Sequence, residues 1–435
     1  MKPTRLLLVL LVSLAPLAGA MPEPLTLSGA VNEALRSGTE ASLVRDRLES
    51  AAALEDQAAS MLWPRLDLRA SYAQTNSAMG GFGMILGQRT FDNTVDFNHP
   101  GRLDNATAGV DFSYRLYAGG ADTARVRIAT AQRVASEHQS QADLAEITTA
   151  VVKAFLDYRQ SSRLREALAT SRSALTESLR VAQAAEAEGR LLKTERLNLS
   201  VQLGQVEQQL LVAESLVRLS ARRLLILIGR PATESVELAP LPAIEAWGDV
   251  ASPCAAERPE ILAMRQRVEA ASQAVAFADA GRLPTVDFLA SYQNEQGWIR
   301  DGSGASWSAG VVAHYNLFDA RESASRSRAA RAELRAAETA FRKLESELAF
   351  DLARAQLLVA QADNRQSVAR LAVEQAAESA RLTRERFQIG RALSAELIGV
   401  EARLAESRLQ LVSAESDQVT ARVAVRRAQG QPLLP

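Results

Sequence analysis

One cysteine and three histidines are spread over 435 residues. A single thiol excludes an internal disulfide, and three scattered imidazoles argue against a conventional zinc cage. Charge of one sign is missing too. The 50 Lys and Arg stand against 51 Asp and Glu, so there is no basic excess of the kind that binds nucleic acid. Aromatic residues make up 5% of the chain, thin for the two or three compact cores its length would otherwise allow. Beyond the first twenty residues nothing reaches the roughly 20 apolar residues of a membrane helix. The longest aliphatic run, 224–228, is flanked by Arg222, Arg223 and Arg230. His99, His138 and His314 lie far apart, Cys254 has no nearby histidine, and no glycine-rich phosphate loop occurs. No catalytic, metal or cofactor site is therefore expected. Glycine and proline are themselves absent over 121–188 and 321–389, which points to long uninterrupted helices.

What is present begins with a leader. Residues 1–20 have a basic start (Lys2, Arg5), an apolar stretch over 6–14 and the small-x-small ending Ala18-Gly19-Ala20, the pattern of a cleaved signal peptide. Cleavage would leave 435 − 20 = 415 residues. Met21, not a cysteine, directly follows the cleavage point, so no N-terminal lipid anchor is expected. The protein is expected to leave the cytoplasm, and either to stay periplasmic or to cross a membrane as strands.

The remaining chain is written twice. Pro64-Arg-Leu-Asp-Leu-Arg-Ala-Ser-Tyr72 matches Pro284-Thr-Val-Asp-Phe-Leu-Ala-Ser-Tyr292 at an offset of 220. From Gly109 onward the offset is 201: Gly109-Val110 with Gly310-Val311, Gly189-Arg190-Leu191 with Gly390-Arg391-Ala392, Glu195 with Glu396, and Gly229-Arg230-Pro231 with Gly430-Gln431-Pro432. All 19 extra residues (220 − 201) of the first copy fall between Tyr72 and Gly109. The expected organisation is a first repeat over 21–232, a linker over 233–254 and a second repeat over 255–435. Each repeat reads helix, strand, strand, long helix, helix.

Each glycine-free segment would extend about 100 Å as a helix. No single globular core accommodates such a rod, so the rods are expected to pack side by side as coiled coil. Phe341, Leu344, Leu348, Leu352, Ala355 and Val359 form a narrow apolar stripe, and Ile147, Val151, Ala154 and Tyr158 repeat its later part. Gly189 and Gly390 interrupt the pattern as helix reversals. The other helices are expected over 27–62 and 255–279.

Between the helices lie four runs of period two. Leu66, Leu68, Ala70 and Tyr72 alternate with Asp67, Arg69 and Ser71. Val110, Phe112, Tyr114 and Leu116 alternate with Asp111, Ser113, Arg115 and Tyr117. Val286, Phe288, Ala290 and Tyr292 oppose Asp287 and Ser291. Trp307, Ala309, Val311, Ala313, Tyr315 and Leu317 oppose Ser308, Val312, His314 and Asn316. Each run has the length of a tilted strand crossing a bilayer, apolar side out and polar side in. Four strands cannot close a barrel, and an open edge in hydrocarbon leaves backbone groups unpaired at several kcal/mol each. Three chains sharing one barrel would supply twelve strands around a lumen lined by Asp67, Arg69, Asp111, Arg115, Asp287, His314 and Asn316. The connections 74–106 and 293–305 are expected as external loops, with Met79 to Leu86 mobile in the longer one.

The chain resembles the TolC-like outer membrane efflux proteins over nearly its whole mature length. The resemblance rests on the duplicated unit and on Tyr114-Arg-Leu-Tyr-Ala-Gly-Gly120, echoed by Tyr315-Asn-Leu-Phe-Asp-Ala-Arg321. Arg258-Pro-Glu-Ile261 and Phe387-Gln-Ile-Gly-Arg-Ala-Leu-Ser-Ala-Glu396 add to it. It implies a mainly α fold with a four-stranded transmembrane β contribution: a homotrimer whose twelve-stranded outer-membrane barrel continues into a long α-helical coiled-coil periplasmic tunnel. It also implies a passive exit duct for efflux or type I secretion, lodged in outer membrane lipid and joined by a periplasmic adaptor to an inner-membrane pump. By position it makes Glu396, with Glu195 as first-repeat counterpart, a ring acid of the periplasmic gate. Gly399 and Asn198 stand where a second acid would fall. Phe387 stands where some members place a locking tyrosine, and lacks the hydroxyl. The tips Gly189, Arg190, Leu191 and Gly390, Arg391, Ala392 match the adaptor-contact positions. The alternative reading is a soluble periplasmic coiled-coil scaffold or adaptor, which would normally carry one hairpin on a small β-domain rather than duplicated hairpins with lipid-length strands.

Overall fold

The structure, a computed structural model, describes residues 24–96, 98–242, 247 and 258–434. The expected leader at 1–20, Cys254, much of the linker and the first residues of the second repeat lie outside the described residues. The chain is mainly helical with one small antiparallel sheet. Its order is α1 (Leu27–Ser37), α2 (Thr39–Ser60), β1 (Arg65–Thr75), α3 (Ala78–Gly87), β2 (Leu103–Tyr117), α4 (Ala121–Ala187) and α5 (Lys193–Ile228). Then follow α6 (Pro259–Ala280), β3 (Thr285–Gly297), β4 (Gly302–His314), α7 (Glu322–Gln388) and α8 (Ser394–Ala428).

The two rods have the same length because their punctuation does. Adding 201 to the bounds of α4, 121 and 187, gives 322 and 388, the bounds of α7. Buried positions follow the seven-residue spacing of a coiled-coil seam: Leu168, Leu175 and Ala182 on α4, Leu199, Val206 and Ala213 on α5, and Leu348, Ala355, Ala362 and Ala369 on α7. Small Ala at so many of these sites lets the helices approach closely, which is how a chain with few aromatics still makes a core. The upper half of α4 packs on α2 and α6, and its lower half on α5; α7 packs on α6 and then α8. The largest apolar cluster sits at mid-height, where Val151, Val152, Phe155 and Leu156 of α4 meet α1, the C-terminal turns of α5 and α8, and Trp247.

Helix formation over 27–62 is broken where the expectation had one element. At Gly38 the backbone turns extended, and a Cβ there would strike the carbonyl oxygens of Ala34 and Leu227. The chain-on-chain approach to α5, and not a local dislike of helix, ends α1.

The sheet runs β1-β2-β3-β4, every neighbour antiparallel. The central β2–β3 pairing joins the two repeats, with Val110 opposite Tyr292 and Tyr114 opposite Phe288. Both outer strands, β1 and β4, keep one edge unpaired among the described residues.

Candidate functional site

On the sheet, the register gathers the alternating residues onto two faces. Leu68 faces Val110, Val110 faces Tyr292 and Tyr292 faces Trp307, so one face is apolar across all four strands. That face is open to the surroundings, with Leu68 82% and Trp307 77% exposed. The opposite face carries Asp67, Arg69, Asp111, Arg115 and Asp287. Asp67 and Asp111 sit directly across from each other, a like-charge pairing that Arg69 relieves with a 3.3 Å ion pair to Asp111. Arg115 reaches Asp287 at 3.2 Å and Asp122 at 3.4 Å. His314 ends β4 on this polar face, opposite Thr285.

Four residues depart from the expected alternation: Tyr117 on β2, and Tyr315, Asn316 and Leu317, which lie past the end of β4. Asn316 lies beyond the end of β4, and its Oδ1 accepts the Phe318 N–H at 3.2 Å, so it belongs to the turn into α7 and not to a strand face. The register of β2 slips between Arg115 and Tyr117, and Tyr117 pairs with Val286. This bulge moves Tyr117 to the apolar face, where period two had put it on the polar one.

The outer end of the sheet is ordered where external loops were expected. Strand β2 begins at Leu103, β3 and β4 run on to Gly297 and from Gly302, and Met79 to Leu86 forms helix α3 with Ile85 fully buried. Glycine here serves close packing. A Cβ on Gly304 would land on the Gly87 carbonyl oxygen, and one on Gly297 would land on the Gln88 amide. Gln88 donates to the Asp104 carbonyl at 2.6 Å, and Arg89 donates to the Ala305 carbonyl at 2.8 Å. The buried Asp104 carboxylate accepts the backbone N–H groups of Trp298 and Ile299, the latter at 2.8 Å. Asp104 and Gln88 were missed in the sequence because nothing local marks them; only their burial does.

At the opposite end of the rods the two hairpins turn alike. Gly189 and Gly390 are left-handed, with φ of +73° and +72°. Arg190 N–H bonds Ala185 O at 2.8 Å and Arg391 N–H bonds Arg386 O at 2.7 Å, closing the same helix-end motif at both tips. Arg190 pairs with Glu188, while Arg391 is exposed and its carbonyl accepts from Arg386 at 3.2 Å. Leu191 and Ala392 pack beneath the tips against the lower apolar cluster. Phe387 is buried at the tip end of that cluster, which also holds Leu199 and Leu397. The cluster forms an apolar seam between the two hairpins.

The two acids matched by the repeat are placed differently. Glu195 crosses to the other hairpin, where its Oε2 accepts the Ser394 backbone N–H at 3.0 Å and the Ser394 hydroxyl. It thereby caps α8, whose own N-cap residue, Leu393, has no side chain able to do so. Glu396 is exposed and makes no side-chain hydrogen bond or ion pair among the described residues. Ser394 was also missed in the sequence. Its signal was the unusual pairing of a leucine at each N-cap with a glutamate three residues on, at 192/195 and 393/396.

Among the described residues no group of three or more potential metal ligands converges, and no helix is long and apolar enough to cross a membrane. No curated protein sequence matches the chain. Solved structures do. The outer membrane protein VceC of Vibrio cholerae superposes with a TM-score of 0.75 at 20% identity, over 94% of this chain and 96% of that one. The Campylobacter jejuni CmeC outer membrane channel gives 0.78 at 16%, over 93% and 85%. The open state of the Neisseria gonorrhoeae MtrE outer membrane channel gives 0.73 at 17%, over 94% and 89%. Identities this low speak for the fold. The sequence itself matches the family "Outer membrane efflux protein" over residues 31–230 and 250–431. The chain therefore belongs to the outer membrane efflux protein family, the outer-membrane channel components of tripartite efflux systems, located in that membrane and reaching into the periplasm.

Proposed function

We propose that three copies close their sheets into one twelve-stranded barrel and their hairpins into one tunnel, a passive duct through which an inner-membrane pump expels its cargo. The observation that carries this reading is the sheet itself. It is apolar and exposed on one face, charged on the other, and unpaired at both edges among the described residues. In hydrocarbon such edges cost several kcal/mol per unsatisfied group, and joining β4 of one copy to β1 of the next removes the cost. The charged face then lines water, with Arg69 and Arg115 interleaved among Asp67, Asp111 and Asp287. A duct of that kind sorts cargo coarsely by size and charge, so cargo selection belongs to the pump.

The rod ends supply the other contacts. Arg190 and Arg391 project from tips that are otherwise plain helix reversals, and they are the side chains we assign to a periplasmic adaptor, together with Gly189, Leu191, Gly390 and Ala392. Phe387 and Glu195 hold the two hairpins of one copy together and Glu396 stays available at the opening, so closure of the duct is assigned to these three.

Membrane fractionation and gel mobility test the reading. The expressed protein should stay with the outer membrane, need detergent for extraction, and run as a trimer on SDS gels until heated. Extraction by buffer alone as a stable monomer would overturn it in favour of a soluble scaffold.

A further inference from the structure

The two hairpin ends make different use of one geometry. Helices α5 and α8 both start after a leucine that cannot cap, and both carry glutamate at their third position. In α8 the missing cap comes from outside: Glu195 of the neighbouring hairpin covers the first N–H, and Ser394 is fully buried beneath it. In α5 the equivalent residue is Lys193 (394 − 201 = 193). It is exposed, and its N–H and ammonium have no acceptor among the described residues. The equivalent of the capping acid is Glu396 (195 + 201 = 396), which is exposed and unpaired. The chain thus contains one completed contact and both halves of a second, which do not bond each other within one molecule.

We propose that Glu396 of one copy caps α5 of the next at Lys193, repeating between subunits the contact that Glu195 and Ser394 make within one. This rests on the trimeric reading above. If the hairpins alternate around a closed ring, each α7–α8 pair meets the α4–α5 pair of the following copy as it meets its own. The carboxylate then faces an uncapped helix N-terminus, where negative charge is favoured. The substitution of lysine for serine makes this seam a charge pair, where the internal one joins a carboxylate to a hydroxyl. Three ionic and three hydroxyl-bonded seams would alternate around the opening. The ionic ones are the contacts that join subunits, and they are the ones that salt weakens.

Cross-linking tests the contact directly. In a chain with Cys254→Ser, the pair Lys193→Cys and Glu396→Cys is treated with a short bismaleimide as the detergent-solubilised trimer, then heated in SDS. Most chains should run as covalent dimers and trimers, whereas Glu195→Cys with Ser394→Cys should link within one chain and leave a monomer band. Trimers that survive on unheated gels but give only monomers after cross-linking and heating would overturn the contact while leaving the channel reading intact. Monomers before heating would overturn both. Side-chain variants supply a second readout in planar bilayers. Glu396→Ala should raise resting conductance several-fold, whereas Glu396→Asp, which keeps a carboxylate able to cap, should stay near the wild-type level. Unchanged conductance in Glu396→Ala would refute the pairing.

Discussion

At the same step along their rods, Leu156 of α4 is 3% exposed and Leu357 of α7 is 73% exposed. The offset of 201 makes them one position in two settings. Around α4 lie α1, α2, α5, α6 and α8, whereas α7 meets only α6 and α8 in any extent. Phe350, Val368 and Leu371 continue the uncovered side of α7. The first rod is finished by its own chain. The second is left with an apolar flank that a soluble monomer would not keep, since exposed contiguous apolar surface marks a binding face. Duplication copied the elements, and on the trimeric reading proposed above the difference in burial marks the flank that a neighbouring copy would cover.

Breaking each member of this pair should separate the two roles, and the effects are the largest we expect. Leu156→Ala removes a side chain from the mid-height cluster and should cost about 3 kcal/mol of chain stability, seen as a lower denaturation midpoint and poor yield. Leu357→Glu should leave the helical signal of the chain intact by circular dichroism but abolish the trimer band on unheated gels. A Leu357→Glu protein that still forms trimers of normal heat resistance would show that α7 faces water.

A second comparison concerns how each repeat fastens the helix before its strands to its rod. In the first, Glu55 of α2 accepts the Thr130 hydroxyl at 2.6 Å and pairs with Arg133 of α4. In the second, Asp279 of α6 accepts the Ser327 hydroxyl at 2.6 Å and meets Arg331 of α7 at 3.2 Å. The hydroxyl bond first, then the guanidinium, holds each carboxyl below its ordinary value. A carboxyl lowered on folding stabilises fully above its unfolded pKa, about 4.3 for Glu and 3.9 for Asp, and that contribution fades as pH falls through the folded value. Melting temperature should therefore be flat with respect to these groups from pH 5 to pH 8 and drop below about pH 4. Glu55→Gln should lower it at neutral pH and shallow the acid decline. Asp279→Asn should do the same more weakly, because its ion pair is the more exposed. An unchanged acid limb in Glu55→Gln would assign the decline to other carboxylates.

The sequence made the rods legible because a single period sustained over 67 residues accumulates evidence that no local accident imitates. The strands were legible for the same reason on a shorter scale, and their errors fall where a short period is cheapest to break. One bulge at Leu116 turned Tyr117 to the other face, and Asn316 was lost to a turn two residues past the end of β4. Helix α3 was hidden by its own composition. Gly80, Gly81, Gly83 and Gly87 argue against helix by propensity, yet Ser77 starts it and the hairpin glycines make room for it. At the rod ends, Glu195 and Glu396 could be matched by the repeat, but which one bonds within the chain depends on the seam between hairpins, a contact 199 residues apart. The repeat predicts equivalence, and only the packing says which copy of a contact is internal.

The two tips give the finest version of the comparison, because here the repeats coincide. Gly189 and Gly390 share their left-handed φ, and a Cβ on either would meet nothing within 4 Å. The cost of alanine at each is then conformational alone, about 1 kcal/mol, and should be equal in denaturant unfolding of the separated chain. In the assembled protein equality becomes informative. Gly229, with the same hand, differs from both, since a Cβ there would strike the Ser37 carbonyl and alanine should cost clearly more. If Gly390→Ala and Gly189→Ala lower the heat resistance of the trimer to the same small extent, the tips are free of subunit contacts and the seam lies above them, at the level of Lys193 and Glu396. If only one of them does, that tip is itself covered by a neighbour, and the twofold likeness of the hairpins ends one turn earlier than the single chain shows.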